Sequence, residues 1–258
     1  MSFFESVILG IIQGLTEFLP VSSSGHLILF QHIMGQKDVP LLFDVLLHVA
    51  SLVAVLIFFR KKIFLLLQGM TKKGEESSLN EIMMIIVGTM VTVAMVVFTK
   101  PALMHIRTHP KILGFTFLFT AIILIVANIL MKKAGPDKKV SLKDALFIGF
   151  FQGLAVLPGI SRSGATIAAG LFRKLPGQKA VEFSFLLAIP AIAGAMVLEV
   201  YKGDWDAIEL IPTIAGCAAS LISSLFALKL LVIMVKKTIL LPFSVYLFFL
   251  SLSVFIFR

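Results

Sequence analysis

Six apolar runs, residues 41 to 59, 82 to 99, 112 to 131, 180 to 201, 210 to 235 and 239 to 257, approach the roughly 20 residues that carry a helix across a hydrocarbon core. A chain of 258 residues, 59% hydrophobic and 14% charged, has no soluble interior large enough to hide them. Within a bilayer, backbone N–H and C=O groups must be satisfied inside each segment, so the runs are expected to be helices. The fold class expected is an all-α polytopic membrane protein forming one integral domain over residues 1–258. Cys217 stands alone in an apolar run, where it reads as a small packing residue rather than a redox group. Met1 to Glu5 lacks a basic leader and no small-residue cleavage pattern follows, so no removable signal peptide is expected.

Two further apolar stretches are too short to span. Residues 4 to 19 stop at Pro20 and the chain turns apolar again only at Leu27; residues 144 to 157 stop at Pro158 and resume at 164 to 172. Each pair reads as a re-entrant helical hairpin. The pairs repeat at an offset of 139: Gln13-Gly14-Leu15 matches Gln152-Gly153-Leu154, and Ser22, Ser24 and Gly25 match Ser161, Ser163 and Gly164. Three spanning runs separate the hairpins, an odd number, so the second is expected to enter from the opposite face. The result is an inverted-topology repeat, repeat A at about 1–131 and repeat B at about 140–258, with a polar site near the midplane.

The net charge of +9 is spread through short connections without aromatic interleaving, which speaks for topology and anionic headgroups rather than nucleic acid. Under the six-span arrangement fifteen basic residues lie on one side and six on the other, with Arg162 and Lys229 inside segments. The fifteen-residue side is expected to be cytoplasmic, which turns both termini and the mouth of the first hairpin outward. Residues 64 to 81 read as a cytoplasmic interfacial loop, and Lys229 as a snorkelling side chain.

Chemistry concentrates at the hairpin tips. Gln13 and Glu17 share one helix face at i and i+4, and a carboxylate in so apolar a segment marks function. Ser22, Ser23, Ser24 and Gly25 follow Pro20 and suit the opening of a helix, although serines also serve as ordinary caps. Pro158-Gly-Ile-Ser161-Arg162-Ser163-Gly164-Ala-Thr166 has the composition of an oxyanion cradle: a planar guanidinium, hydroxyl donors and a helix start. His26 follows Ser23 by about one turn and is expected to approach its hydroxyl as a base. Together Ser23, His26, Glu17 and Arg162 supply a nucleophile, a base, an acidic orienter or metal ligand, and an anion anchor, the parts of a phosphoryl-transfer site. Asp44 and His48, also i and i+4, read as a structural pair in preference to a proton relay.

These motifs closely resemble the bacitracin-resistance family of undecaprenyl-diphosphate phosphatases. The likeness extends through Phe43-Asp44-Val45 and Glu182-Phe-Ser-Phe-Leu-Leu-Ala-Ile-Pro190 to essentially the whole chain. It implies removal of the terminal phosphate of undecaprenyl diphosphate at the outer face of the bacterial inner membrane, which recycles the carrier lipid for cell-wall synthesis. It makes Ser23 or His26 the attacking group, assigns Glu17 and Gln13 to the family's acidic motif, and has Arg162, Ser161 and Thr166 grip phosphate. Ser22, Ser163 and Gly164 complete the expected binding set. Mg²⁺ or Ca²⁺ dependence is implied, with Glu17 as the ligand; Gln13 stands where some members carry glutamate, so any ion would also bridge diphosphate oxygens. A polyprenyl diphosphate and membrane lipids are the expected partners, and there is room for a homodimer. The competing reading is a lipid or anion transporter using the same inverted-repeat pocket, which would need an anion cradle but no nucleophile.

Overall fold

The computed structural model describes residues 1–36, 39–71, 76–131, 138–202, 205–237 and 239–256. Ser2 caps the first helix, α1 (Phe3–Phe18), its hydroxyl accepting from the Glu5 N–H while the Glu5 carboxylate answers the Ser2 N–H. Pro20 lies beyond its end, and a short α2 (Ser23–Ile33) completes the first hairpin. The second hairpin is built alike: Ser141 and Asp144 form a capping box on α7 (Leu142–Leu154), Pro158 follows, and α8 (Arg162–Phe172) returns. At 1.5 Å per residue the 16 residues of α1 and 13 of α7 fall short of the roughly 30 Å hydrocarbon core.

Between the hairpins run α3 (Leu41–Phe58), α4 (Arg60–Thr71), α5 (Glu76–Thr108), a 3₁₀ turn at Pro110–Ile112 and α6 (Leu113–Met131); after them come α9 (Gly177–Lys202), α10 (Leu210–Lys236) and α11 (Leu241–Ile256). Five helices, α3, α5, α6, α9 and α10, are long and apolar enough to cross a membrane. The chain is therefore an all-helical, polytopic membrane protein. The sixth apolar run forms only the 16-residue α11, shorter than the span expected. The stretch read as an interfacial loop is also different: residues 64 to 71 belong to α4, 72 to 75 lie outside the described residues, and 76 to 81 open α5. Outward positions on α5 such as Met90, Val97 and Phe98 are large, apolar and exposed, as lipid solvation requires.

Helices pair across the two halves of the chain. The first arm of each hairpin lies against a spanning helix of the other half, α1 on α10 and α7 on α5; α3 meets α9, and α6 meets α11. Glycine sets the close approaches. A Cβ at Gly10 would collide with the Gly216 carbonyl, and one at Gly149 would lie 2.5 Å from the Gly88 carbonyl oxygen. Gly10 and Gly149 stand 139 residues apart, as do Ser2 and Ser141, and Glu5 and Asp144. The repeat therefore covers the whole first arm of each hairpin, not only the tip at which it was first legible.

Ion pairs gather on the side carrying most of the basic residues. Lys62 binds Glu81 and Glu182, each at 2.9 Å, and Lys179 binds Glu81 at 2.9 Å. At the mouth of the second hairpin the fully buried Asp144 accepts from Lys138 at 2.9 Å and Arg173 at 2.7 Å, besides the Ser141 hydroxyl and N–H. Cys217 is half-buried against the small apolar cluster of Leu9, Leu27, Phe43 and Leu47, and Lys229 is exposed.

Candidate active site

The two hairpin tips touch. Ser22, the N-cap of α2, adopts φ +71°, and its hydroxyl accepts from the Gly25 N–H at 3.4 Å and from the Gly159 N–H of the other tip at 3.1 Å. Gly159 itself has φ +88°, with the Thr116 hydroxyl filling the space a Cβ would need. The Ser163 hydroxyl donates back to the Leu19 carbonyl at 3.2 Å. Each tip, where a helix is interrupted, thus satisfies a backbone polar group of the other.

Glu17 lies at this junction, 6% exposed. One carboxylate oxygen pairs with Arg162 Nη2 across the tips. The other accepts from the Ser23 hydroxyl at 2.5 Å and Gln13 Nε2 at 3.0 Å, and His48 Nε2 lies 3.4 Å away. Ser23 and Arg162 are the first residues of α2 and α8 and stand at equivalent repeat positions, so the same helix start presents a hydroxyl in one half and a guanidinium in the other. Arg162 Nη1, buried, meets no acceptor among the described residues. A cavity of about 260 Å³ opens here, with Glu17, Ser22, Ser23, Ser161 and Arg162 in its wall. Ala155, Val156, Ile160, Ala191 and Ile192 make the rest largely apolar. A buried donor without an acceptor among the described residues, on a residue lining such a space, favours an anion, and apolar walls beside it suit an amphiphile.

Five of the expected residues do other work. His26 does not reach Ser23: helical side chains lean toward the N-terminus, so its Nδ1 meets the Ser22 carbonyl at 2.8 Å while Nε2 meets the Tyr246 hydroxyl at 2.7 Å. Thr166, fully buried one turn into α8, donates to the Arg162 carbonyl at 2.7 Å and contacts the Ser184 hydroxyl at 2.5 Å, away from the cavity. Ser163 is committed to Leu19. The Gly164 N–H is taken by the Ser161 hydroxyl at 3.0 Å, so it caps the helix and is not free for phosphate. Gln13 sits behind Glu17 and orients it.

His48 and Thr92 line the cavity and were missed as site residues. The spacing that joined His48 to Asp44 is real, but the bond runs from the ring to the Asp44 carbonyl oxygen, 2.8 Å, while Gln31 Nε2 holds the Asp44 carboxylate at 2.7 Å. The imidazole is thereby turned toward Glu17. Nothing in the local sequence marks Thr92.

Among the described residues no three His, Cys, Asp or Glu side chains converge as a metal cage. Among the described residues Glu17 is the one carboxylate in the cavity wall. The buried Gln13 Oε1 meets no donor among the described residues, but the end of its amide on Glu17 is the nitrogen, and Gln13 is not in the cavity wall. The donor set suits an ion carried mostly by its own ligand, not one held by protein alone.

Residues 6–253 match the family described as bacitracin resistance protein BacA. A protein of Carboxydothermus hydrogenoformans named undecaprenyl-diphosphatase is 40% identical over 98% of this chain and 97% of its own. One of the same name from Treponema denticola is 40% identical over 98% and 96%. Undecaprenyl-diphosphatase 4 of Bacillus thuringiensis subsp. konkukian is 37% identical over 95% and 93%.

Proposed function

The chain belongs to the bacitracin resistance protein BacA family, and from that premise we propose that its hairpin cavity hydrolyses the terminal phosphate of undecaprenyl diphosphate. The products are undecaprenyl phosphate and inorganic phosphate, which returns the carrier lipid to cell-wall synthesis. One observation carries this reading: a serine hydroxyl and an arginine, from opposite hairpins, share a single buried carboxylate at the wall of a cavity that also has an apolar side. A carrier needs the arginine but gains nothing from the serine on a base.

Arg162 binds the outer phosphate through Nη1, and the arriving negative charge competes with Glu17 for the guanidinium. Glu17, released from part of that pairing, accepts the Ser23 proton, with His48 Nε2 beside it at 3.4 Å. Ser23 Oγ forms a bond to the outer phosphorus, the bridging P–O bond breaks, and its electron pair leaves on undecaprenyl phosphate. That anion is a good leaving group and needs no strong acid. Water then displaces Ser23 and frees phosphate. Glu17 is the residue that would hold a Mg²⁺ or Ca²⁺ brought in on the diphosphate, and the ion would neutralise charge on the anhydride. Ser22 and Ser161 offer hydroxyls to the remaining oxygens.

The matching contacts of α1 on α10 and α7 on α5 support an inverted repeat in which α11 completes a sixth crossing. The excess of basic residues on one side supports a cytoplasmic assignment for that side, and so a site reached from the outer leaflet of the inner membrane. The test is release of phosphate from undecaprenyl diphosphate by purified protein in detergent, where transport has no meaning. Activity abolished by Ser23→Ala supports the reading; no release by the wild-type protein overturns it.

A further inference from the structure

Gln152 is the repeat mate of Gln13, yet nothing in the reaction so far uses it. It is 2% exposed and lines the cavity with Glu17, Ser23 and Arg162. Its Nε2 donates to the Thr92 hydroxyl at 3.2 Å and to the Leu187 carbonyl at 3.3 Å. A carbonyl only accepts, so Leu187 fixes which end of the amide is nitrogen. The Thr92 proton is directed at the Gly88 and Gly149 carbonyls, 2.8 and 3.2 Å away, which leaves Thr92 an acceptor for Gln152. Both amide hydrogens are therefore occupied and the side chain is locked. Its Oε1 is buried and meets no donor among the described residues. Folded proteins leave very few buried acceptors unmet, because doing so is destabilising. In the first repeat the amide is tied to Glu17; the equivalent position here is Val156, so Gln152 has no carboxylate to serve.

The chemistry of Oε1 identifies its occupant. Diphosphate oxygens are acceptors and are repelled by a carboxamide oxygen; water donates. We propose that Gln152 orients the water that releases phosphate, accepting one of its hydrogens while the other passes to the base. The inference rests on the hydrolase reading above. Once undecaprenyl phosphate has left, Glu17 yields the serine proton to solvent; the water oxygen then bonds to phosphorus, the P–Oγ bond of phosphorylated Ser23 breaks, and Glu17 takes one water hydrogen and delivers it to Ser23 Oγ. One water proton is thus transferred, and the second remains on the new phosphate after leaving Gln152. The amide takes no proton; it holds a direction.

Methanol distinguishes this role from packing, because it has a single O–H and none to spare for Gln152 once the base is served. Purified protein in detergent is given undecaprenyl diphosphate with methanol present, and methyl phosphate and inorganic phosphate are counted. Gln152→Leu is expected to lower phosphate formation about tenfold with KM within about twofold, and to raise the methyl phosphate to phosphate ratio about tenfold. Thr92→Val keeps the glutamine but frees its amide, and is expected to raise the ratio about threefold; it carries the test should the leucine variant aggregate. An unchanged ratio overturns the proposal whatever happens to turnover, as does recovery of normal turnover at raised Mg²⁺, which would make Oε1 a cation ligand. Aggregation of both variants would assign the amide to the fold and equally overturn it. A wild-type protein that releases no phosphate sinks the hydrolase reading first, and this inference with it.

Discussion

Four side chains crowd the two oxygens of Glu17, and what each substitution does depends on which of them is left without a partner. Arg162→Lys keeps the charge but provides one head where two are needed, Nη2 for Glu17 and Nη1 for phosphate; kcat/KM is expected to fall about 100-fold, read as phosphate release. An unaffected lysine variant would reduce the arginine to an electrostatic anchor. His26 and Ser23 separate more sharply. Because the imidazole bonds the Ser22 carbonyl and Tyr246, and not Ser23, His26→Asn is expected to keep at least about a tenth of the activity, whereas Ser23→Ala loses about 1,000-fold or more. A dead asparagine variant with a phosphorylated wild-type His26 would reverse those roles. Glu17, Ser23 and Arg162 were legible in the sequence because charge and hydroxyls are costly in apolar segments and interrupt their pattern. His48 was visible but assigned to Asp44, since i, i+4 spacing gives neighbours on a helix and not which partner lies across from it. Thr92 carries no such mark: its hydroxyl is satisfied by its own helix, as any membrane threonine's can be.

The hairpins show how much of an element the chain dictates locally. Pro20 and Pro158 end the first arms, serine caps begin all four, and the lengths forbid crossing, so the breaks could be placed without coordinates. The boundary that failed, at α4, is one where composition is ambiguous: residues 64 to 67 are apolar enough for an interface, and packing against neighbouring helices decides that they are helical. The two capping boxes are equivalent but not equal. Glu5 is half-buried, while Asp144 is fully buried; burial alone would raise the Asp144 carboxyl, but bonds from Ser141, Lys138 and Arg173 outweigh this and lower it from 3.8 to about 2. A depressed carboxylate contributes stability that is fully present above the unfolded value and lost as pH falls through the folded one. Asp144→Asn is therefore expected to cost about 2 kcal/mol at pH 6, and the gap from wild type to close between about pH 4 and pH 2. Thermal unfolding in detergent across that range reads it; a gap that persists at pH 2 would assign the loss to packing instead of charge.

At the scale of the molecule, pairing of like helices from the two halves explains why one short motif had to be present twice. Neither hairpin can satisfy its broken backbone alone; Ser22 answers Gly159, and Ser163 answers Leu19, so each half completes the other. The halves differ at Ser23 against Arg162 and at Glu17 against Val156, which turns a structural symmetry into a nucleophile and its carboxylate facing a clamp. Such a junction is useful only if the lipid's diphosphate reaches it from the leaflet where it is produced, and that depends on orientation. The two ends of the bundle differ chemically: Lys62, Lys179, Lys138 and Arg173 cluster with their acidic partners at one, while Met1 and Glu209 pair at the other. With Cys217 replaced by alanine, single cysteines at the exposed Lys61 and Ala207 report the two ends separately. In intact cells an impermeant maleimide is expected to label Ala207→Cys and to spare Lys61→Cys until the membrane is opened. Reverse labelling would put the basic end outside, against the charge bias that sets insertion, and would turn the mouth of the first hairpin, and with it Glu17 and Ser23, toward the cytoplasm.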